Sequence, residues 1–165
     1  FKLMNFEDTN MYDVEIKTTE NINTAGYSHK GDYMNIGQAF EKIFMWGFKS
    51  GIFGNKPPQS YGIYYDDPSE TPKDDLNSFA CLKIDNDKAI TDEVEARTIK
   101  GGRHAVLLFK GPYSELEKPY QWLYGQWLAN SGEEAADAPC FEEYLNNPKD
   151  VPPTELLTLI HLPLK

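Results

Sequence analysis

The chain has 165 residues, 40% hydrophobic and 13% aromatic, which is enough for one ordinary domain with a sizeable core. Its 26 acidic and 16 basic residues leave a net charge of -10, which repels a phosphate backbone, so direct contact with nucleic acid is not expected. No apolar run approaches the roughly 18 residues of a membrane helix, and residues 1–10 lack the basic-then-apolar pattern of a signal peptide. The expectation is a cytoplasmic protein, unless a leader was removed upstream. Cys81 and Cys140 with His29, His104 and His161 show no metal-ligand spacing, and Gly101-Gly102 is a turn pair rather than a phosphate loop. No metal, no cofactor and no membrane contact are implied.

In chain order, residues 14–17 and 25–29 read as two strands, the second ended by Gly31. Ile36, Ala39, Phe40, Ile43, Phe44 and Gly47 then fall on one helical face, with Gly51 placed to stop the helix in the left-handed conformation. Residues 60–65 form a strand ended by Asp66-Asp67-Pro68, since proline cannot donate to a ladder, and residues 78–84 form the next. A charged linker, residues 85–93, follows. The pattern then repeats. The counterpart of the strand at 25–29 is ended by Gly111, and Ser114 with Glu117 reads as a capping box. Leu116, Tyr120, Leu123, Tyr124, Trp127 and Leu128 make an apolar helical face ended by Gly132, and strands follow at 140–145 and 158–164.

The second half matches the first at a constant offset of 80 residues. Lys30-Gly31-Asp32-Tyr33 corresponds to Lys110-Gly111-Pro112-Tyr113, and Tyr64-Tyr65-Asp66-Asp67-Pro68 to Tyr144-Leu145-Asn146-Asn147-Pro148. The expected fold is a single α+β domain, a tandem duplication of a strand-helix-strand-strand unit. Repeat one covers 14–84 and repeat two 94–164, with antiparallel sheets, two main helices and pseudo-two-fold symmetry. One unit alone cannot cover both faces of its sheet. Pairing the two is expected to leave a central groove.

Function is sought where the copies differ. Strand alternation puts Glu142 and Tyr144 on one face, with Gly62 and Tyr64 as their counterparts. A carboxylate among aromatic rings is poorly solvated, and a bound organic cation relieves that penalty while the rings attract it through their quadrupoles. The alternative reading is an exposed edge-strand carboxylate. Tyr33 and Tyr113, at the strand–helix corners, suit either a helix staple or a groove rim.

The segments KGDYMNIGQAFEKIFMWG, YGIYYDDP, GGRHAVLLFKGPY and PCFEEYLNNP resemble the GyrI-like family, which includes the gyrase inhibitory protein and the effector-binding domains of AraC-type and MerR-type multidrug-sensing regulators. The resemblance runs from residue 14 to residue 164. It implies binding of lipophilic cations by a buried glutamate matching Glu142, with groove aromatics matching Tyr33, Tyr61, Tyr113 and Tyr144. Alternation instead favours Tyr64 over Tyr61, and a bulge at the start of that strand would reconcile the two. The expected function is a small-molecule-binding module and not an enzyme. The alternatives are a gyrase-directed protein-interaction module, a hydrolase of electrophilic natural products using Glu142, and an effector domain cut from a regulator that lacks its DNA-binding part here.

Overall fold

The computed structural model describes residues 11–85 and 90–165, so the expected linker lies partly outside it. The elements in chain order are β1 (Val14–Thr19), β2 (Ile22–Lys30), α1 (Gly37–Ser50), β3 (Ser60–Tyr64), β4 (Asn77–Lys83), β5 (Glu95–Ile99), β6 (Gly102–Lys110), α2 (residues 117–131), β7 (Cys140–Tyr144) and β8 (Leu157–Pro163). The fold is α+β with antiparallel pairing and two main helices, as the repeat pattern predicts. Among the described residues, no helix is long and apolar enough to cross a membrane.

The chain forms two compact units. One holds residues 20–101 and 139–143, with strands in the order β5, β2, β4, β3. Helix α1 covers one face of this sheet. Its buried Ile43 and Trp46 meet Ala25, Leu82 and Ile84, and its Ala39 meets Ala80. The opposite face collects Tyr61, Ile63, Phe79, Cys81, Ile99 and Phe141 into a second cluster. The other unit holds residues up to Thr19, 102–138 and 144–165, with β6 between β1 and β8. Its core includes Leu107, Leu123, Ile160 and Leu162, each at most 1% exposed. Tyr12 closes it, edge-on to Trp122 and Phe109.

The units do not coincide with the repeats. Strand β1 of repeat one pairs with β6 of repeat two, and β5 of repeat two pairs with β2 of repeat one. The two repeats have exchanged their first strands. The links Glu20-Asn21 and Lys100-Gly101 are short enough for hairpin turns, yet the strands they join pair elsewhere. At the second link Gly102 takes φ 138°, a conformation open to glycine, and the Gly101 N–H donates to Asn21 Oδ1 at 2.7 Å.

Turn chemistry repeats almost atom for atom. Gly31 N–H donates to Leu76 O at 2.8 Å, and Gly111 N–H to Leu156 O at 2.9 Å. Asp66 Oδ2 accepts from Asn77 N–H at 2.7 Å, as Asn146 Oδ1 does from Leu157 N–H at 2.9 Å. Two differences stand out. The expected Ser114 capping box does not form. A 3₁₀ turn spans Tyr113–Glu115, so Ser114 lies inside a turn rather than at a helix boundary, and α2 starts from Leu116 without a side-chain cap. Helix α2 also contains a π turn, Leu123–Leu128, that α1 lacks. A π turn holds one extra residue. The left-handed glycines that end the helices, Gly51 and Gly132, are accordingly 81 positions apart, whereas β3 and β7 start 80 apart.

The copies also divide core volume differently. A Cβ on Gly26 would overlap Ala80 O and lie 2.7 Å from Cys81 Cβ and 2.8 Å from the Phe79 ring. The repeat counterparts of Gly26 and Phe79 are Val106 and Leu159. The Phe79 ring thus packs against the bare Gly26, where repeat two pairs a larger Val106 with a smaller Leu159. A Gly26→Ala variant is expected to lose about 2 kcal/mol or more by overpacking, read as a lower denaturant midpoint, and Phe79→Leu does not restore it, because the Ala80 oxygen and the Cys81 Cβ still crowd the new Cβ.

His161 is 7% exposed, with the His104 ring edge-on at 5.6 Å. Burial, then the nearby His104 and Lys17, lowers its pKa to about 4. The unfolded chain takes up a proton near pH 6.5 that the folded chain refuses until about pH 4. Stability is therefore complete above pH 6.5 and falls as pH drops through this window. The loss reaches about 3 kcal/mol. His161→Leu is expected to flatten this part of the curve in denaturation measured from pH 7.5 to 4.

Candidate functional site

The candidate site is built on the paired strands β3 and β7. In β3, the regular register Tyr61↔Cys81, Gly62↔Ala80 and Tyr64↔Ser78 leaves no bulge. Tyr64 and Ala80 pack with Ile36 and Ala39 on the α1 side, while Tyr61 and Ile63 join the opposite cluster. In β7, Phe141 sits 6.2 Å from Tyr61, centroid to centroid, and the Glu143 charge acts on the Tyr61 hydroxyl. Phe141 and Glu143 thus share the Tyr61 side, and alternation turns Glu142 to the other. Glu142 is 4% exposed, the only buried acidic side chain among the described residues. Burying a carboxylate costs several kcal/mol unless opposite charge or hydrogen bonds compensate. At its repeat counterpart, Gly62, the chain carries no side chain at all.

The structure brings the predicted tyrosines together in pairs. Tyr33 meets Tyr64 edge-on at 4.8 Å, and the repeat counterparts Tyr113 and Tyr144 meet edge-on at 5.5 Å. Tyr61 stands apart from Tyr64, on the opposite face of β3, with its ring 3% exposed. Burial pushes its hydroxyl well above the ordinary tyrosine range, with Glu143 adding to the effect. Tyr33 is also a turn strut. Its hydroxyl donates to Asp66 O at 2.7 Å and accepts from Asp66 N–H at 3.0 Å. Its pKa is raised by burial, partly offset by the backbone hydrogen bond, with the Asp66 and Asp67 charges adding to the rise.

Two residues carry no sequence signal but belong in this inventory. The Ser78 hydroxyl, opposite Tyr64 in register, and that of its repeat counterpart Thr158 are buried with no hydrogen-bond partner among the described residues. Cys81 is fully buried, and burial pushes its thiol up to about 12, so it is no nucleophile at neutral pH. Among the described residues, no group of three or more His, Cys, Asp or Glu side chains could hold a metal ion. Two open cavities lie elsewhere. One of about 580 Å³ is lined by Phe48, Phe53, Pro57 and Pro58 beyond the end of α1, and one of about 520 Å³ by Asn23, Arg97 and Thr98. Neither includes Glu142 or the tyrosine pairs.

These features define a class of protein, a duplicated α+β domain with aromatic pairs and one buried carboxylate. Residues 12–165 match the model of the GyrI-like small molecule binding domain, and the chain belongs to that family. It is similar to the DNA gyrase inhibitor of Escherichia coli strain K12, at 29% identity over 137 residues, covering 81% of this chain and 85% of the relative. In fold it is similar to the C-terminal domain of EcmrR, with TM-score 0.80 and 18% identity, covering 94% of this chain and 98% of that one. It spans 62% of the EcmrR chain seen in a complex with DNA, with TM-score 0.81 and 16% identity over 99% of this chain. It is similar as well to SAV2435 bound to tetraphenylphosphonium, with TM-score 0.63 and 12% identity, covering 93% of this chain and 94% of that one.

Replacing Tyr33 by Phe separates the strut from the ring. The aromatic contact survives while both Asp66 hydrogen bonds are lost. The expected cost is about 1–2 kcal/mol, with faster hydrogen exchange at the Asp66 amide and unchanged exchange in the β2–β4 ladder.

Proposed function

We propose that this chain is a receptor for lipophilic, cationic, aromatic compounds, with Glu142 as the anionic anchor. The burial of the Glu142 carboxylate, at a position where the first repeat has glycine, carries this reading. A cation arriving beside that carboxylate meets opposite charge where little water screens it. Aromatic faces add about 0.5–2 kcal/mol each where the cation is desolvated. Tyr64 with Tyr33, and Tyr113 with Tyr144, are the rings assigned to this role, whereas Tyr61, on the opposite face of β3 from Tyr64, lies off the Glu142 side. Tetraphenylphosphonium on SAV2435, a protein of similar fold, supports the choice of ligand class. Such a module works by binding, without a catalytic residue or cofactor, and acts in the cytoplasm.

A second reading rests on the relatives. Similarity to DNA gyrase inhibitors supports a gyrase-directed interaction, for which the acidic chain suits a basic partner surface.

The test is a thermal-shift and calorimetric titration with tetraphenylphosphonium. Ligand at 100 times its dissociation constant stabilises by about 2.7 kcal/mol. Glu142→Gln is expected to stay folded and bind at least tenfold more weakly. Equal binding by the wild type and Glu142→Gln refutes the anchor. A supercoiling assay distinguishes the second reading, which predicts inhibition of gyrase that Glu142→Gln leaves intact.

A further inference from the structure

We propose that the outer edge of β1 is a self-association surface, on which a second copy of the chain adds its own β1 antiparallel. Strand β1 pairs with β6 on one side, and no described strand pairs with its other side. The Leu108 N–H donates to Asp13 O at 3.3 Å, which fixes the phase of the ladder. In the β1–β6 register, Glu15, Lys17 and Thr19 fall at the same phase as Asp13 and bond to β6. Val14, Ile16 and Thr18 therefore direct their backbone N–H and C=O groups outward.

Charge selects the register. With Ile16 opposite Ile16 of the second copy, all three outward-directed residues pair, Val14 facing Thr18. Glu15 then faces Lys17 of the other copy, twice, in the closely spaced non-hydrogen-bonded positions. Sliding by two residues either way puts Glu15 opposite Glu15 or Lys17 opposite Lys17. A lone charge on an edge strand commonly blocks such pairing. Here the neighbouring opposite charge turns the block into a code. Within one copy the two side chains already meet at 3.6 Å, with Glu15 73% and Lys17 53% exposed, so pairing builds a four-charge network. On the other face Ile16, 44% exposed, gains its own counterpart as an apolar partner.

Sedimentation equilibrium and light scattering on the full chain test this. A concentration-dependent dimer is expected. Glu15→Lys and Lys17→Glu each make both cross-strand pairs repulsive and weaken association about tenfold or more, and the double reversal restores it. Thr18→Pro removes an outward N–H without touching the β6 ladder. It is expected to abolish the dimer while leaving circular dichroism unchanged, and melting unchanged at concentrations where the wild type is monomeric. A chain monomeric up to about 1 mM overturns the proposal. So does a dimer indifferent to Thr18→Pro and the single reversals, or a double reversal that fails to recover.

Discussion

The exchange of first strands between the repeats governs how this chain holds together. Two-residue links would ordinarily close hairpins, and each here instead carries the chain from one unit to the other. β2 takes β5 as its outer neighbour and β6 takes β1, so each unit's sheet is completed by residues from both halves of the sequence. The cost is non-local pairing, which slows folding because loop closure precedes its reward. The return is that neither repeat has a complete sheet to itself.

On this frame the two copies specialise within narrow limits. Turn hydrogen bonds are kept, even where Asp66 becomes Asn146, because each satisfies backbone groups that would otherwise be stranded. Side chains that fill space are free to trade volume, as Gly26 and Phe79 do against Val106 and Leu159. The buried carboxylate of Glu142 belongs to neither class. It has no counterpart in repeat one, where Gly62 carries no side chain, which is why its position carries the functional reading.

Much of the fold was legible in sequence because it is written twice. Paired glycines and prolines fixed strand ends, and apolar spacing fixed the helices. The strand exchange was not legible, since a short link between two strands has the same sequence whether they pair or part. Nor was the π turn. The 80-residue register is restored before β7, and only the helix-ending Gly132 is displaced. Alternation gave the phase of β3 and β7 correctly, including Tyr64 on the α1 side and Tyr61 opposite. It did not show Ser78 and Thr158, whose small hydroxyls look like ordinary strand residues until their burial is known.

The π turn makes the duplicate helices non-interchangeable parts. An added residue rotates everything after it by roughly 100° about the helix axis. Position-by-position averaging of the two halves, as a consensus repeat would require, therefore superimposes a core side chain of one helix on a flank of the other over the final turn. The halves can be compared by counting along the chain everywhere except there, where the comparison has to follow the hydrogen bonds.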